Sequence, residues 1–308
     1  MRTPVRMVSD RDLKDSLRIL VGSILAWLLP ERYWYALMRP LAAREVRSAT
    51  DRTRKRARWL EQSFGNRLDA ARRREIVIES TANTERRHLY RLRELSPLGW
   101  HPSIEVRGEI HVSSALADGH GAILWVSDSS FSSIPTKKGL HRCGLWLHHL
   151  SRPGHAFVGS RYAKRVLTPI WLRAENRYLA ERIIFTMARS VAVGRRLRKL
   201  LKNNSIISIT VGATAIKTVA VPFLDSRLSL AAAPAKLALE SKARLLPVFT
   251  VRNDAGGFEV EIEPPLSVPA EGGRQAQVDG MIREYARRLE PWALKYPDQF
   301  LAGLKSEA

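Results

Sequence analysis

The strongest constraint on the fold is a set of short, almost uninterrupted apolar runs separated by helical patterns. Residues 122–126 (AILWV) are wholly apolar, and 206–211 (IISITV) and 245–251 (LLPVFTV) are nearly so. A strand with one face in water alternates apolar and polar residues. A strand covered by helices on both faces has no such need. Between the runs lie stretches with helical spacing at 71–95, 139–150, 174–203, 232–241 and 275–289. This alternation implies an α/β domain with a largely parallel central sheet flanked by helices. Further strands are expected at 103–112 (with a break at Gly108), near 156–158 after Gly154, at 219–223 and at 258–262. The last is expected to pair after the Gly256-Gly257 turn.

The first hundred residues read differently. Residues 17–30 (LRILVGSILAWLLP) form the one strongly apolar run, interrupted by Arg18 and ended by Pro30. A membrane-spanning helix needs about 20 apolar residues, so a full span is not expected. Nor is a signal peptide: Trp27, Arg32, Tyr33, Trp34 and Tyr35 stand where a small-residue cleavage site would be. Arg2, Arg6, Arg11 and Lys14 precede the run and suit an anionic headgroup layer. Two readings follow, a helix at a membrane surface and a buried first helix. Residues 41–93 are helical in pattern and very basic. Arg44, Arg47, Arg52, Arg54, Lys55, Arg56 and Arg58 lie in one helix-like stretch, and Asp69 is a candidate cap for the next helix. The division expected is an apolar or interfacial helix region at 1–40 and an α/β domain at 41–308, of which 41–100 is a helical layer.

Charge narrows the partners. Lys and Arg number 51 against 30 Asp and Glu, a net charge of +21, which implies an anionic partner. A nucleic acid is not expected, because no helix-turn-helix, zinc-finger, RRM or KH signature accompanies the charge. The single cysteine, Cys143, rules out an internal disulfide framework. With no His-x-x-x-His cluster beside it, no metal is expected. There is no Walker motif, dinucleotide fingerprint or phosphate-binding glycine loop, and no cofactor is expected.

Several segments, in order, carry a resemblance. They are Leu28-Leu29-Pro30 after the apolar run, the Arg-rich stretch leading to Phe64-Gly65-Asn66, and Gly121-Ala122-Ile123-Leu124 before a polar turn. Further on come Val221-Pro222-Phe223-Leu224, Ala233-Pro234-Ala235-Lys236-Leu237-Ala238 and Leu245-Leu246-Pro247-Val248-Phe249. The end, Leu289-Glu290-Pro291-Trp292 to Tyr296-Pro297-Asp298-Gln299-Phe300, completes the set. Over nearly its whole length the chain resembles the late acyltransferases of lipid A biosynthesis, within the lysophospholipid acyltransferase superfamily. The resemblance implies acyl transfer from a thioester on acyl carrier protein or coenzyme A to a lipid hydroxyl or amine. It also implies contact with anionic lipid at the cytoplasmic face of the bacterial inner membrane, peripherally or through the N-terminal helix.

The departures from that family are systematic. Its His-x-x-x-x-Asp/Glu pair falls on Asp128 and Ser133, and no His in the chain has an acidic residue five positions later. A second, Asp-containing family motif falls on Val211-Gly212-Ala213, where no carboxylate stands. Arg189 corresponds to a family Arg that contacts the acceptor or its phosphate. In the family reaction a His near neutral pKa takes the hydroxyl proton while the carboxylate orients it. An aspartate, with an ordinary pKa of about 3.9, is a poor base. Asp128 with Ser127, Ser129, Ser130, Ser132 and Ser133 therefore reads in two ways, as an altered acid–base site or as a polar turn capping the next helix. Of the other histidines, His111 is expected to end a strand and His120 to lie at the wrong end of one. His141, His148 and His149 are expected on the helix after the turn. Lys137 and Lys138 either meet an acidic carrier or its phosphopantetheine phosphate, or belong to a solvated helix face. Two functions lead, an acyltransferase with an atypical site and a catalytically silent relative that binds acyl-lipid or an acidic partner; a basic nucleic-acid-binding protein, suggested by the charge alone, ranks last.

Overall fold

The computed structural model describes residues 10–152, 160–211 and 217–303. Four helices come first: α1 (Asp10–Leu28), α2 (Trp34–Arg47), α3 (Asp51–Phe64) and α4 (Ala70–Glu94). Strands and helices then alternate: β1 (Ile104–Arg107), α5 (Glu109–Ala117), β2 (Ala122–Val126), α6 (Ile134–Arg142), β3 (Leu147–Ser151), α7 (Thr168–Asn176), β4 (Leu179–Ile184), α8 (Ser190–Lys202) and β5 (Ile206–Thr210). They continue as β6 (Thr218–Phe223), β7 (Ser226–Ala231), α9 (Ala233–Ser241), β8 (Arg244–Arg252), β9 (Phe258–Ile262), α10 (Arg274–Lys295) and α11 (Pro297–Phe300).

Seven strands form one sheet in the order β1-β9-β8-β2-β5-β3-β4. All its pairings are parallel except β8 with β9. The apolar run at 122–126 is the sheet's centre. All five of its residues are buried, and successive side chains point to opposite faces. Ile123 and Trp125 join the core under α8, α9 and α10. Ala122, Leu124 and Val126 join the core on the other face, with Val112 of α5 and Leu140 of α6. A third cluster unites Ala26, Trp34, Met38 and Tyr90 of the helical layer with Phe131 and Trp171. Asp69 caps α4, accepting a hydrogen bond from the Arg72 amide at 2.6 Å.

Four expectations are corrected. The segment 103–112 is a strand only to Arg107, because Gly108 adopts φ +82° and a Cβ there would stand 1.9 Å from the Ile262 carbonyl oxygen. The chain turns into α5 at that point, which carries His111. The expected helix at 139–150 ends at Arg142, and residues 147–151 form β3, so His148 and His149 lie on a strand. The stretch 174–203 contains β4 between α7 and α8. The basic stretch 44–58 is two helices, broken where Ala49 takes φ 44° and Thr50 caps α3 through the Thr53 amide. The strand expected near 156–158 lies outside the described residues.

Candidate functional site

The turn after β2 stands at the carboxyl end of the sheet, where ligands of open α/β sheets bind. The Ser127 amide donates to the Val248 carbonyl at 2.9 Å, continuing the sheet pairing. The Ser129 hydroxyl donates to the Thr250 carbonyl at 2.6 Å, and the Ser130 amide to the Gln299 carbonyl at 2.7 Å. The closing segment of the chain thus holds the turn from outside. Gly303 lies so close that a Cβ on it would stand 1.7 Å from the Asp128 carbonyl oxygen.

Asp128 is partly buried. Its charge acts on Arg87, whose pKa burial lowers and Asp128 pulls back up. Burial also pushes the Tyr285 hydroxyl well above its ordinary value, with Asp128 adding to that shift.

Ser133 occupies the N-cap position of α6 but makes no side-chain cap bond. Its hydroxyl donates to Glu175 Oε1 at 2.5 Å, a charge-assisted hydrogen bond. Glu175 on α7 is 5% exposed and also pairs with Arg91, with Lys137 at 3.1 Å and with Arg182 at 2.7 Å. Arg91 NH2 reaches the Ser133 oxygen at 2.9 Å, and NH1 donates to the Trp171 carbonyl at 3.1 Å. Burial alone would raise the Glu175 pKa. Lys137, Arg91 and Arg182, with the Ser133 hydroxyl, overcome this and hold the carboxyl well below the usual range. The result is an ion-pair knot, with three cations on one buried carboxylate. The small pocket beside it, lined by Arg87, Arg91, Phe131 and Ser133 among others, has a volume of about 10 Å³.

The structure brings Lys137 and Ser133 together, and it corrects the solvated-face alternative for both lysines. Each is 5% exposed. Lys138 Nζ donates to Glu94 at 2.8 Å and to the Trp100 carbonyl, and lies over the Trp100 and Tyr178 rings. Arg189 is elsewhere, exposed on a 3-10 turn before α8. His141 on α6 packs on Trp146 and Tyr178. His148 pairs with Glu181, and His149 with the Ser208 hydroxyl at 3.2 Å. Residues 212–213, where the second family motif would end, lie outside the described residues.

Sequence reasoning missed Glu175 and Arg91, which stand 42 and 84 residues from their partners Ser133 and Glu175 in unremarkable helical stretches. It also missed His88. This histidine lines an apolar cavity of about 440 Å³ between α1, α2 and α4, with Met38, Leu89, Leu92 and Trp171. Burial, followed by Arg87, Arg18 and Arg91, pushes its pKa down to about 3, so its imidazole is neutral near pH 7. Trp171 links cavity and knot, since it lines the first and its carbonyl accepts from Arg91 of the second.

None of the described helices is long and apolar enough to cross a membrane. Among individually curated proteins, none matches the chain. The family model described as bacterial lipid A biosynthesis acyltransferase matches residues 9–302. The apolar strand runs, the turn after β2 and the closing segment all fall inside that match, and the chain belongs to the bacterial lipid A biosynthesis acyltransferase family.

Proposed function

We propose that this family member works at a membrane surface as a binder of acylated lipid, and that it does not transfer the acyl group through the turn after β2. Asp128 and Ser133 are taken as the positions of the family's missing dyad. The observation that carries the reading is the knot at Ser133. Its hydroxyl is committed to Glu175, that carboxylate is neutralised by Arg91, Lys137 and Arg182, and the pocket lined by Ser133 has a volume of about 10 Å³. Acyl transfer needs room for a thioester and a hydroxyl, and a base matched to the working pH. In this reading Lys137 and Lys138 serve as buried counter-ions of Glu175 and Glu94 rather than as contacts for a carrier.

Binding has a natural place. The cavity between α1, α2 and α4, at about 440 Å³, falls in the range of roughly 300–1,000 Å³ typical of small-molecule sites. Ile19, Leu25, Met38, Leu89 and Leu92 offer it apolar walls, and Arg18, Glu45 and Glu85 give it charged ones. An acyl chain fits the first set and a polar head the second. Whether the lipid arrives from acyl carrier protein, from coenzyme A or from the bilayer is left to the test. Purified full-length protein is titrated with a long-chain acyl-CoA and, separately, with lysophospholipid. Saturable binding that Met38→Trp abolishes by filling the cavity supports the reading. Binding unchanged by Met38→Trp and by Leu89→Trp overturns the assignment of the cavity.

A further inference from the structure

We propose that a second, polar cleft at the carboxyl end of the sheet is a binding site for a phosphate-type oxyanion, with the buried Arg86 guanidinium as its fixed cation. The cleft has a volume of about 620 Å³ and is walled by α4, the turn at 31–33, the end of β8 and the closing segment 295–299. Phe131 lines both this cleft and the small pocket beside Ser133. Nothing in the proposal depends on acyl binding or acyl transfer.

Arg86 is 5% exposed. A buried charge is costly unless it is paired. Arg91, Lys137 and Arg182 obey that rule by sharing Glu175, and Lys138 by pairing with Glu94, whereas the buried Arg56 is held by the Thr81 and Thr84 hydroxyls of α4. Among the described residues Arg86 hydrogen-bonds only to neutral groups, while Asp298 feels its charge from beyond ion-pair distance. Its NH1 donates to Asn83 Oδ1 at 3.1 Å and its NH2 reaches the Tyr90 hydroxyl at 3.5 Å. The guanidinium lies 5.6 Å from the Tyr35 ring centre and 5.8 Å from that of Phe131. Its Nε is buried with no acceptor. Among the described residues, no carboxylate oxygen approaches it within the 4.0 Å of an ion pair.

The rest of the wall fits the same ligand. Arg252, at the end of β8, also has a buried Nε with no acceptor. Its nearest carboxylate, Glu31, stands 3.8 Å away and already accepts the Tyr90 hydroxyl at 2.6 Å. Arg32, Arg72 and Lys295 add three more cations to the lining. Two of the cleft's carboxyl groups are engaged inside the wall, Glu79 by the Tyr35 hydroxyl and Asp298 by the Asn83 amide at 2.7 Å. Burial pushes both up from the ordinary carboxylate range, which weakens them as competitors for the arginines. Several cations from different elements around a pre-held guanidinium suit a group with several oxygens and more than one charge.

Such a group comes either as a soluble phosphomonoester or as a lipid headgroup, and the experiment separates the two. Full-length protein is titrated with inorganic phosphate and with glycerol 3-phosphate, then with phosphatidic acid in phosphatidylcholine vesicles as competitor. The expected result is saturable one-to-one phosphate binding. Arg86→Gln should weaken it roughly 10- to 100-fold, the scale of a lost charge-assisted hydrogen bond. Arg252→Gln and Lys295→Gln, at less buried positions, should weaken it too, and they keep the test decisive if Arg86→Gln does not fold. Arg195→Gln and Lys199→Gln on the exposed face of α8 control for general attraction to a chain of charge +21. Displacement by phosphatidic acid vesicles identifies a lipid headgroup, and no displacement identifies a soluble phosphomonoester. Phosphate binding that does not saturate, or that the cleft variants and the α8 variants leave equally unchanged, overturns the proposal.

Discussion

Glu175 carries a charge on which three neighbouring cations depend, so its replacement is not a local event. Glu175→Gln leaves Arg91, Lys137 and Arg182 without their carboxylate. Breaking a buried ion pair by removing one partner costs about 3–5 kcal/mol, and chemical denaturation at pH 7 should show a loss of that order. Ser133→Ala removes one hydrogen bond to the same carboxylate and should cost less, about 1.5–3 kcal/mol. A loss at Glu175 no greater than that at Ser133 would mean the knot is not the anchor of the turn. Titration gives a second expectation. His88, depressed to about 3 by burial and by its arginine neighbours, takes up its proton more readily in the unfolded chain, at a pKa near ~6.5. Stability from this residue is therefore complete above about pH 6.5 and is lost as pH falls toward 3. His88→Gln should flatten the stability profile across that window, and an unchanged slope in denaturant titrations at pH 4 to 7 would count against a buried neutral imidazole. The turn that carries Asp128 and Ser133 was legible in the sequence because the apolar run before it marks a buried strand. Glu175, Arg91 and His88 were not, because distant segments meet only in the folded sheet.

Elements whose residues agree with one period were legible. The runs that became β2, β5 and β8 need no polar face, and α4 shows both its cap and its helical spacing. Strands β3 and β4 escaped because polar residues interrupt them, each with a partner in the fold. His149 meets Ser208, Glu181 takes Arg196 at 2.7 Å, and Arg182 reaches across to Glu175. α1 presents a further expectation. Leu13, Leu17, Leu20, Ile24 and Leu28 are exposed by 73%, 58%, 59%, 50% and 78%, and their spacing puts them on one helix face. The exposed Arg52, Arg54, Lys55 and Arg58 of α3 add attraction of about 1 kcal/mol per residue near anionic lipid, weakened by salt. Leu17→Glu with Ile24→Glu should therefore abolish sedimentation with anionic vesicles while leaving the circular dichroism spectrum unchanged. Raising salt should reduce wild-type binding. Binding that ignores both changes would remove α1 and α3 from the membrane contact.

At the scale of the whole molecule, the match to the family extends over residues 9–302. The parallel sheet, the helical layer and the closing segment surround the turn that carries Asp128 and Ser133. Ion pairs pack beside Ser133, and the apolar cavity and the polar cleft offer open volume elsewhere. Consumption of thioester is therefore the deciding observation. The most direct measurement is acyl transfer and thioester release by purified protein with acyl carrier protein and acyl-CoA donors and a membrane extract as acceptor. Wild type, Asp128→Asn and Asp128→His with Ser133→Glu are compared. Wild type and Asp128→Asn should be equally inactive, with at most partial recovery in the double variant, which supplies a His and a Glu at the turn but no second carboxylate. Robust transfer by the wild type that Asp128→Asn lowers by the roughly 10²–10⁴-fold expected for loss of a general base would contradict this and identify Asp128 as catalytic.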